Sequence, residues 1–269
     1  MFSGRPSERA FFALVGLLFT VSGAATIIGC ASMSAMREMP MPGNWTMSMT
    51  WMRMPGQTWL GAAVSFLSMW IAMMVAMMLP SLTPVLLRHR QALASRGETR
   101  LGRLNALVGF GYFSVWTVFG MAAFPLGVAL AAMEMRLPAL ARGVPIAVGA
   151  VVLIAGALQF TAWKAHQLAC CRTATHGCRA ARQTHRWPAD AREAWQYGLR
   201  LGLRCCYCCA GPTALLFVSG VMNLGAMAVV TAVITTERLA PAGERIARAT
   251  GAIVIGVGLF LIARAAALG

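Results

Sequence analysis

Acidic residues are scarce in this sequence, which has only 8 Asp and Glu against 23 Lys and Arg. Charged residues of either sign make up 12% of the 269 residues, whereas about a quarter is usual for a soluble domain. The sequence also has no Walker loop, no G-x-G-x-x-G and no H-E-x-x-H motif. These absences argue against a soluble enzyme and a disordered protein, and they indicate no nucleotide or organic cofactor.

Apolar residues, by contrast, make up 58% of the chain and are gathered into long runs. A membrane-spanning helix needs about 20 mostly apolar residues, and none of these runs alternates with the period of two that a strand requires. We predict an all-α polytopic helical membrane protein, with residues 1–269 forming a single membrane domain. About seven transmembrane helices are expected, at residues 11–28, 59–79, 104–132, 144–163, 203–219, 221–236 and 246–266. The fifth and sixth are short, so they are also compatible with a hairpin that barely crosses the membrane or is partly re-entrant.

The basic residues are unevenly distributed between the segments that connect these helices. With seven helices, 18 of the 23 Lys and Arg fall on one side of the membrane. Basic loops stay in the cytoplasm, so the pattern predicts a cytoplasmic N-terminus and a C-terminus outside. The net charge of +15 is then mainly an orientation signal and a contact for anionic membrane lipid, and no nucleic-acid partner is expected.

The first apolar run permits a second interpretation. Arg5 and Arg9 precede it and Cys30 ends it, as in a lipoprotein signal whose cysteine becomes lipidated. The run is longer than the usual core of a signal peptide, so an uncleaved first helix is the favoured interpretation.

Methionine is concentrated in the first loop, residues 30–57, which the charge pattern places outside. A thioether is a soft neutral ligand that suits Cu(I) and, unlike a thiol, forms no disulfide in an oxidising compartment. The irregular spacing favours the alternative, a flexible apolar loop in which methionine is an adaptable filler. The loop contains Met33, Met36, Met39, Met41, Met47, Met49, Met52 and Met54.

A second group of methionines follows helical spacing in the predicted second helix. Met69, Met73 and Met77 recur every four residues, and Met74 and Met78 form a neighbouring stripe. A stripe of this kind usually serves packing. Because the second helix runs inward, these methionines lie in its cytoplasmic half.

The strongest chemical signal is a run of four cysteines near the cytoplasmic entrance of the fifth helix. It contains two offset C-x-x-C pairs, a spacing that lets two thiolates reach one metal ion or form one disulfide. Pro212 removes a backbone hydrogen bond beside the run. Metal binding is favoured over redox chemistry and over inert packing. The candidate ligands are Cys205, Cys206, Cys208 and Cys209.

The predicted cytoplasmic loop 164–200 carries further cysteine and histidine residues. Their spacing matches no four-ligand zinc site, but the loop lies on the same side as the two previous groups, so the three groups could converge. Glu237, at the inner end of the sixth helix, is either a snorkelling or paired end charge beside Arg238, the favoured interpretation, or a ligand or supporting carboxylate. The candidate ligands in the loop are Cys170, Cys171 and Cys178, with His166 and His176 in support.

Several of these residues resemble the motifs of a bacterial family of predicted metal-binding integral membrane proteins, a domain-of-unknown-function family (DUF2182). The second helix is similar to its W-x-x-M-x-x-A-M-M-x-P motif at Trp70, Met73, Ala76, Met77, Met78 and Pro80. A second resemblance is to the family's Gln-Lys-Cys-Arg stretch, at Gln159, Lys164, Cys171 and Arg172. A third resemblance is to the family's cysteine-rich helix and the tail that follows it, at Cys205, Cys208, Cys209, Gly220, Met222, Asn223 and Glu237. The resemblance implies metal binding, with Lys164, Met222 and Asn223 as further supporting positions.

The leading hypothesis is a multi-pass protein of the bacterial inner membrane that binds a soft metal ion, copper rather than zinc, and transports or delivers it. Outer methionines would capture Cu(I), Met73, Met77 and Met78 would relay it, and the cysteines would hold it. A protein partner would take part in delivery, and no enzymatic activity is needed. Two alternatives stay open: a membrane thiol oxidoreductase that uses the paired C-x-x-C, and a structural subunit or assembly factor of a membrane complex.

Overall fold

The computed structural model describes residues 6–34, 39–41, 45–53, 56–95, 97–173 and 190–268, which form eight α-helices and one short hairpin. The predicted class, an all-α protein with several helices able to cross a membrane, is confirmed. The helices are α1 (Pro6–Ser34), α2 (Trp59–Ala94), α3 (Leu101–Arg136), α4 (Pro138–Leu158), α5 (Ala162–Thr173), α6 (Ala191–Val218), α7 (Leu224–Leu239) and α8 (Gly243–Leu268).

Six of the described helices are long and apolar enough to cross a membrane, namely α1, α2, α3, α4, α6 and α8. The sixth predicted segment corresponds to α7, whose 16 residues extend for about 24 Å, less than a bilayer core of about 30 Å. Gly220, with a φ of 93°, lies in the turn that separates α6 from α7. The short pair expected from the sequence is therefore a long α6 followed by a short α7.

Polar extensions lengthen several helices beyond their apolar runs. α2 continues past Leu79 to Ala94, and the face it turns to the protein carries Leu82, Leu86, His89 and Leu93, all buried. These four residues recur at helical spacing, which keeps an amphipathic segment helical after the apolar run has ended. For the same reason α6 starts at Ala191, and α5 forms within the segment that the sequence predicted as a loop.

Glycines bring α3 and α6 into close contact. A Cβ on Gly202 would lie 2.7 Å from the carbonyl oxygen of Tyr112, and one on Gly111 would lie 2.5 Å from the carbonyl oxygen of Trp195. No side chain fits at these two positions without a backbone shift. The contact sets Tyr112 directly against the cysteine-bearing stretch of α6.

The described part of the methionine-rich loop is a folded hairpin. Strand β1 (Met39–Met41) pairs with β2 (Trp45–Met47) in antiparallel register, with Met39 opposite Met47. The indole N–H of Trp45 donates to the carbonyl oxygen of Ala141 at 2.9 Å, which docks the hairpin on α4. Met47 is buried. This differs from the flexible loop that the irregular methionine spacing favoured, because Trp45 supplies a long-range anchor that the methionine pattern does not reveal.

Replacing Gly198 of α6 with alanine is expected to destabilise the fold by about 1–3 kcal/mol, because the new Cβ would collide with the backbone carbonyl of Val108 on α3. The matched control is Gly109→Ala, since a Cβ there meets nothing within 4 Å and alanine is the better helix former. Thermal unfolding of the detergent-purified variants measures both effects. A Gly198→Ala melting temperature at or above that of Gly109→Ala would contradict the packing.

Candidate metal centre

Three of the four clustered cysteines share one buried face of α6. Cys205, Cys208 and Cys209 are 0%, 1% and 1% exposed, whereas Tyr207 between them is 53% exposed. Residues separated by three or four positions lie on the same side of a helix, so this burial follows from the spacing. Cys206 lies on another face and is only partly buried.

The sulfur atoms of this face meet a methionine of α2. Cys205 Sγ lies 3.7 Å from Cys209 Sγ and 3.9 Å from Met78 Sδ. The thiol of Cys208 interacts in turn with that of Cys209. Four sulfur-bearing side chains are thus gathered at the α2–α6 contact, and all four are buried.

The other methionines of α2 lie on the N-terminal side of Met78. Met73, Met74 and Met77 are buried in the core, between 1% and 4% exposed. Met69 is partly buried, and its thioether lies against Gly29 of α1. Of the predicted relay residues, Met78 is therefore the one whose sulfur is seen in contact with a cysteine.

Two polar side chains from other helices donate hydrogen bonds to the Cys205 sulfur. The hydroxyl of Tyr112 on α3 donates to Cys205 Sγ at 2.8 Å, and Nη1 of Arg238 on α7 donates to the same sulfur at 3.2 Å. Arg238 Nη1 also lies 2.9 Å from Ser81 Oγ on α2. Tyr112, Ser81 and Arg238 were not predicted as site residues from the sequence, because no local spacing links these residues to the cysteines.

A buried ion pair adjoins the cysteine face. Lys164 Nζ lies 2.8 Å from Glu237 Oε2, and the side-chain amide of Gln159 donates to the other carboxylate oxygen of Glu237 at 3.1 Å. The partner of Glu237 is therefore Lys164, 73 positions away, whereas the favoured sequence interpretation was a snorkelling or paired end charge beside Arg238. Neighbouring residues of a helix point in different directions, so Glu237 reaches Lys164 while Arg238 reaches Cys205.

Lys164 also donates a hydrogen bond to a backbone carbonyl that a proline leaves without its helical donor. In a regular helix the carbonyl of Cys208 would accept from the N–H of residue 212, but Pro212 has no N–H. Lys164 Nζ donates to this carbonyl oxygen at 2.6 Å. Burial alone would lower the pKa of Lys164, but the nearby Cys208 thiol and Glu237 carboxylate outweigh it and raise the pKa above its ordinary value. The 2.8 Å between Lys164 Nζ and Glu237 Oε2 is the distance of an ion pair.

Several predicted positions are placed elsewhere or lie outside the described residues. Asn223 caps α7 by accepting from the Ala226 N–H at 3.0 Å, which places it about 21 Å along that helix from Glu237, and Met222 precedes the cap. His166 is exposed on α5. Cys170 and Cys171 belong to α5, but their side chains lie outside the described residues, as do His176 and Cys178 entirely.

The donor set fits a soft metal ion better than a hard one. Across the described parts of the chain, no three His, Cys, Asp or Glu side chains form a ready metal cluster, and the set gathered around Cys205 is completed by the thioether of Met78. Thiols and thioethers suit Cu(I). The 3.7 Å between Cys205 Sγ and Cys209 Sγ is close to the separation of about 3.8 Å that two sulfur ligands have on one tetrahedral ion with bonds of about 2.3 Å.

Comparison with known families decides the broad assignment. The profile of the PpoB2 family, described as a copper chaperone, matches residues 67–261, which is more than half of the chain. The chain belongs to the PpoB2 copper chaperone family. This membership supports the expected relation to copper. No curated protein and no solved structure was found to match.

The PpoB2 match contains the buried centre but not the outer hairpin. Residues 67–261 include Met78, Lys164, Glu237 and the four clustered cysteines. They exclude α1 and the methionine-rich loop 30–57. The part of this chain that is common to the copper chaperone family is therefore the part that gathers the sulfur atoms.

Lys164→Met is expected to destabilise the fold by about 3–5 kcal/mol, because it leaves the buried Glu237 carboxylate without its cationic partner. The double variant Lys164→Met with Glu237→Met should recover part of this loss, since neither charge then remains but the Cys208 carbonyl still lacks its donor. The control is Arg248→Met, which breaks an exposed pair with Glu244 and should cost about 1 kcal/mol or less. The free energy of unfolding of each variant is measured by chemical unfolding. Equal losses of this free energy for Lys164→Met and Arg248→Met would rule out a buried pair.

Proposed function

We propose that the chain is a membrane copper chaperone that binds Cu(I) through Met78, Cys205 and Cys209, with Cys208 as a further sulfur donor. The observation that carries this proposal is the approach of three sulfur atoms to within 3.7–3.9 Å between buried residues of two helices. Family membership supports copper as the cargo.

The surroundings of the sulfur atoms favour a reduced, monovalent ion. The cysteines and Met78 are enclosed by α2, α3, α6 and α7, so water and external oxidants have little access. Thiolate binds copper more strongly than thioether does, and a mixed set can hold the ion and still release it. Such a site suits delivery to another protein.

We further propose the orientation that the charge pattern predicts, in a bacterial inner membrane. The short α7 then serves as the seventh crossing, since it returns the chain from the turn at Gly220 to Glu237, which lies 2.8 Å from Lys164. The hairpin with Met39 and Met47 would then lie outside and capture Cu(I) weakly. Trp51 and Trp70 belong to an aromatic cluster that adjoins the hairpin, and Met78 lies eight residues, about 12 Å, beyond Trp70 on α2. Met74 lies midway on the same helical stripe, which gives the ion a thioether step between the two ends.

The geometry gives less support to thiol redox catalysis. Residues three or four apart on a helix keep their Cβ atoms about 5–6 Å apart, whereas a disulfide needs about 3.5–4.5 Å. Cys205 Sγ and Cys209 Sγ lie 3.7 Å apart, whereas a disulfide needs an S–S bond of about 2.05 Å, so the two side chains would have to move closer. All four clustered cysteines are in the thiol form and not in a disulfide. Metal binding needs no such rearrangement.

Cu(I) loading of the purified chain tests the proposal. The wild type is expected to bind about one tightly held Cu(I), and the double variant Cys205→Ser with Cys209→Ser is expected to lose it, because two of the thiolate donors are gone. Copper is counted per chain by elemental mass spectrometry after anaerobic loading and desalting.

Cys206→Ser is the matched control, since Cys206 lies in the same run but on another face of α6. It should bind as much copper as the wild type. Wild-type copper content in the Cys205 and Cys209 double variant, or in a variant with all four clustered cysteines changed to serine, would refute the site.

A further inference from the structure

Fixed charges adjoin the sulfur cluster where α5 and α7 meet α6. Arg238 Nη1 lies 3.2 Å from Cys205 Sγ, and Lys164 Nζ lies 2.6 Å from the Cys208 carbonyl oxygen. Glu237 lies 2.8 Å from Lys164 and offsets that cation. Together, these three charged side chains carry one net positive charge.

The guanidinium of Arg238 is held in place by the two helices that carry the sulfur atoms. Its Nη1 donates to Ser81 Oγ at 2.9 Å as well as to Cys205 Sγ. Ser81 Oγ in turn donates to the carbonyl oxygen of Met78 at 3.0 Å. Arg238 is 5% exposed, so water and salt screen its charge weakly.

A fixed cation repels an incoming metal ion in proportion to the charge of that ion. The repulsion is twice as large for a divalent ion as for a monovalent ion in the same place. Ligand softness alone does not separate the two classes, because thiolates bind Zn(II) as well as Cu(I). A site that must reject Zn(II) therefore gains from a cation beside its thiols.

We infer that Arg238 is a specificity-determining residue, which makes the sulfur site favour a monovalent soft cation over divalent thiophilic ions such as Zn(II). The inference rests on the proposed function, because it places the ion at Met78, Cys205 and Cys209. It also explains why a permanently charged side chain is buried against Cys205, where a neutral hydrogen-bond donor such as Tyr112 is already present.

The test compares the wild type with Arg238→Gln, which keeps hydrogen-bond donors for Ser81 and removes the charge. Affinities for Cu(I), Ag(I) and Zn(II) are measured by chelator competition on the reduced full-length protein in detergent, once its melting curve shows that it is folded. The ratio of Zn(II) to Cu(I) affinity is expected to rise about 10- to 100-fold. The ratio of Ag(I) to Cu(I) affinity should stay the same, because both ions are monovalent.

Two further variants separate charge from shape. Arg238→Lys keeps the charge and is expected to bring the Zn(II) to Cu(I) ratio back close to the wild-type value. Arg248→Gln removes an exposed cation paired with Glu244, and its ratio should equal that of the wild type. If Arg238→Gln does not fold, the wild type is measured alone: it should show no Zn(II) binding that is lost in the double variant Cys205→Ser with Cys209→Ser, and Zn(II) held by those two cysteines would overturn the inference.

The outcomes distinguish this inference from the proposed function. An unchanged Zn(II) to Cu(I) ratio in the folded variant overturns the role of Arg238 but leaves the copper site intact, provided that Cu(I) binding still depends on Cys205 and Cys209. Cu(I) binding by the wild type that does not depend on those cysteines overturns the proposed function instead.

Discussion

The hydrogen bond from Lys164 to the Cys208 carbonyl connects the helices that form the buried centre. Pro212 deprives that carbonyl of its helical donor, so α6 needs a donor from elsewhere at the level of its cysteines. Lys164 comes from α5 and is itself neutralised by Glu237 from α7. A single ammonium group thus fixes three helices relative to one another, and the same contacts hold Arg238, the next residue of α7, against Cys205.

Burying two cations and a carboxylate in a membrane protein is costly unless each is paired or hydrogen-bonded, and such residues usually mark a functional site. In this chain they adjoin thiols and a thioether. Because Tyr112, Ser81 and Arg238 already hold Cys205 and Met78 in place, the proposed metal binding would need little further ordering of the protein. The close glycine contacts between α3 and α6 fix the position of Tyr112.

The cysteine run shows what could be predicted from the sequence and what could not. Helical spacing alone places Cys205, Cys208 and Cys209 on one face, and apolar runs alone predict the membrane class. The contacts of Tyr112 and Arg238 were not predictable, because they depend on how α3 and α7 pack against α6. Hydropathy also missed α5, whose residues are too polar to register as a span.

The central claim is that copper binds to sulfur alone, at the contact between α2 and α6. X-ray absorption at the copper edge of the Cu(I)-loaded protein tests it most directly, comparing the wild type with Met78→Leu. The account predicts a wild-type shell of sulfur atoms only, with one sulfur fewer per copper in Met78→Leu. A shell dominated by nitrogen or oxygen, or a sulfur count that Met78→Leu does not change, would contradict it.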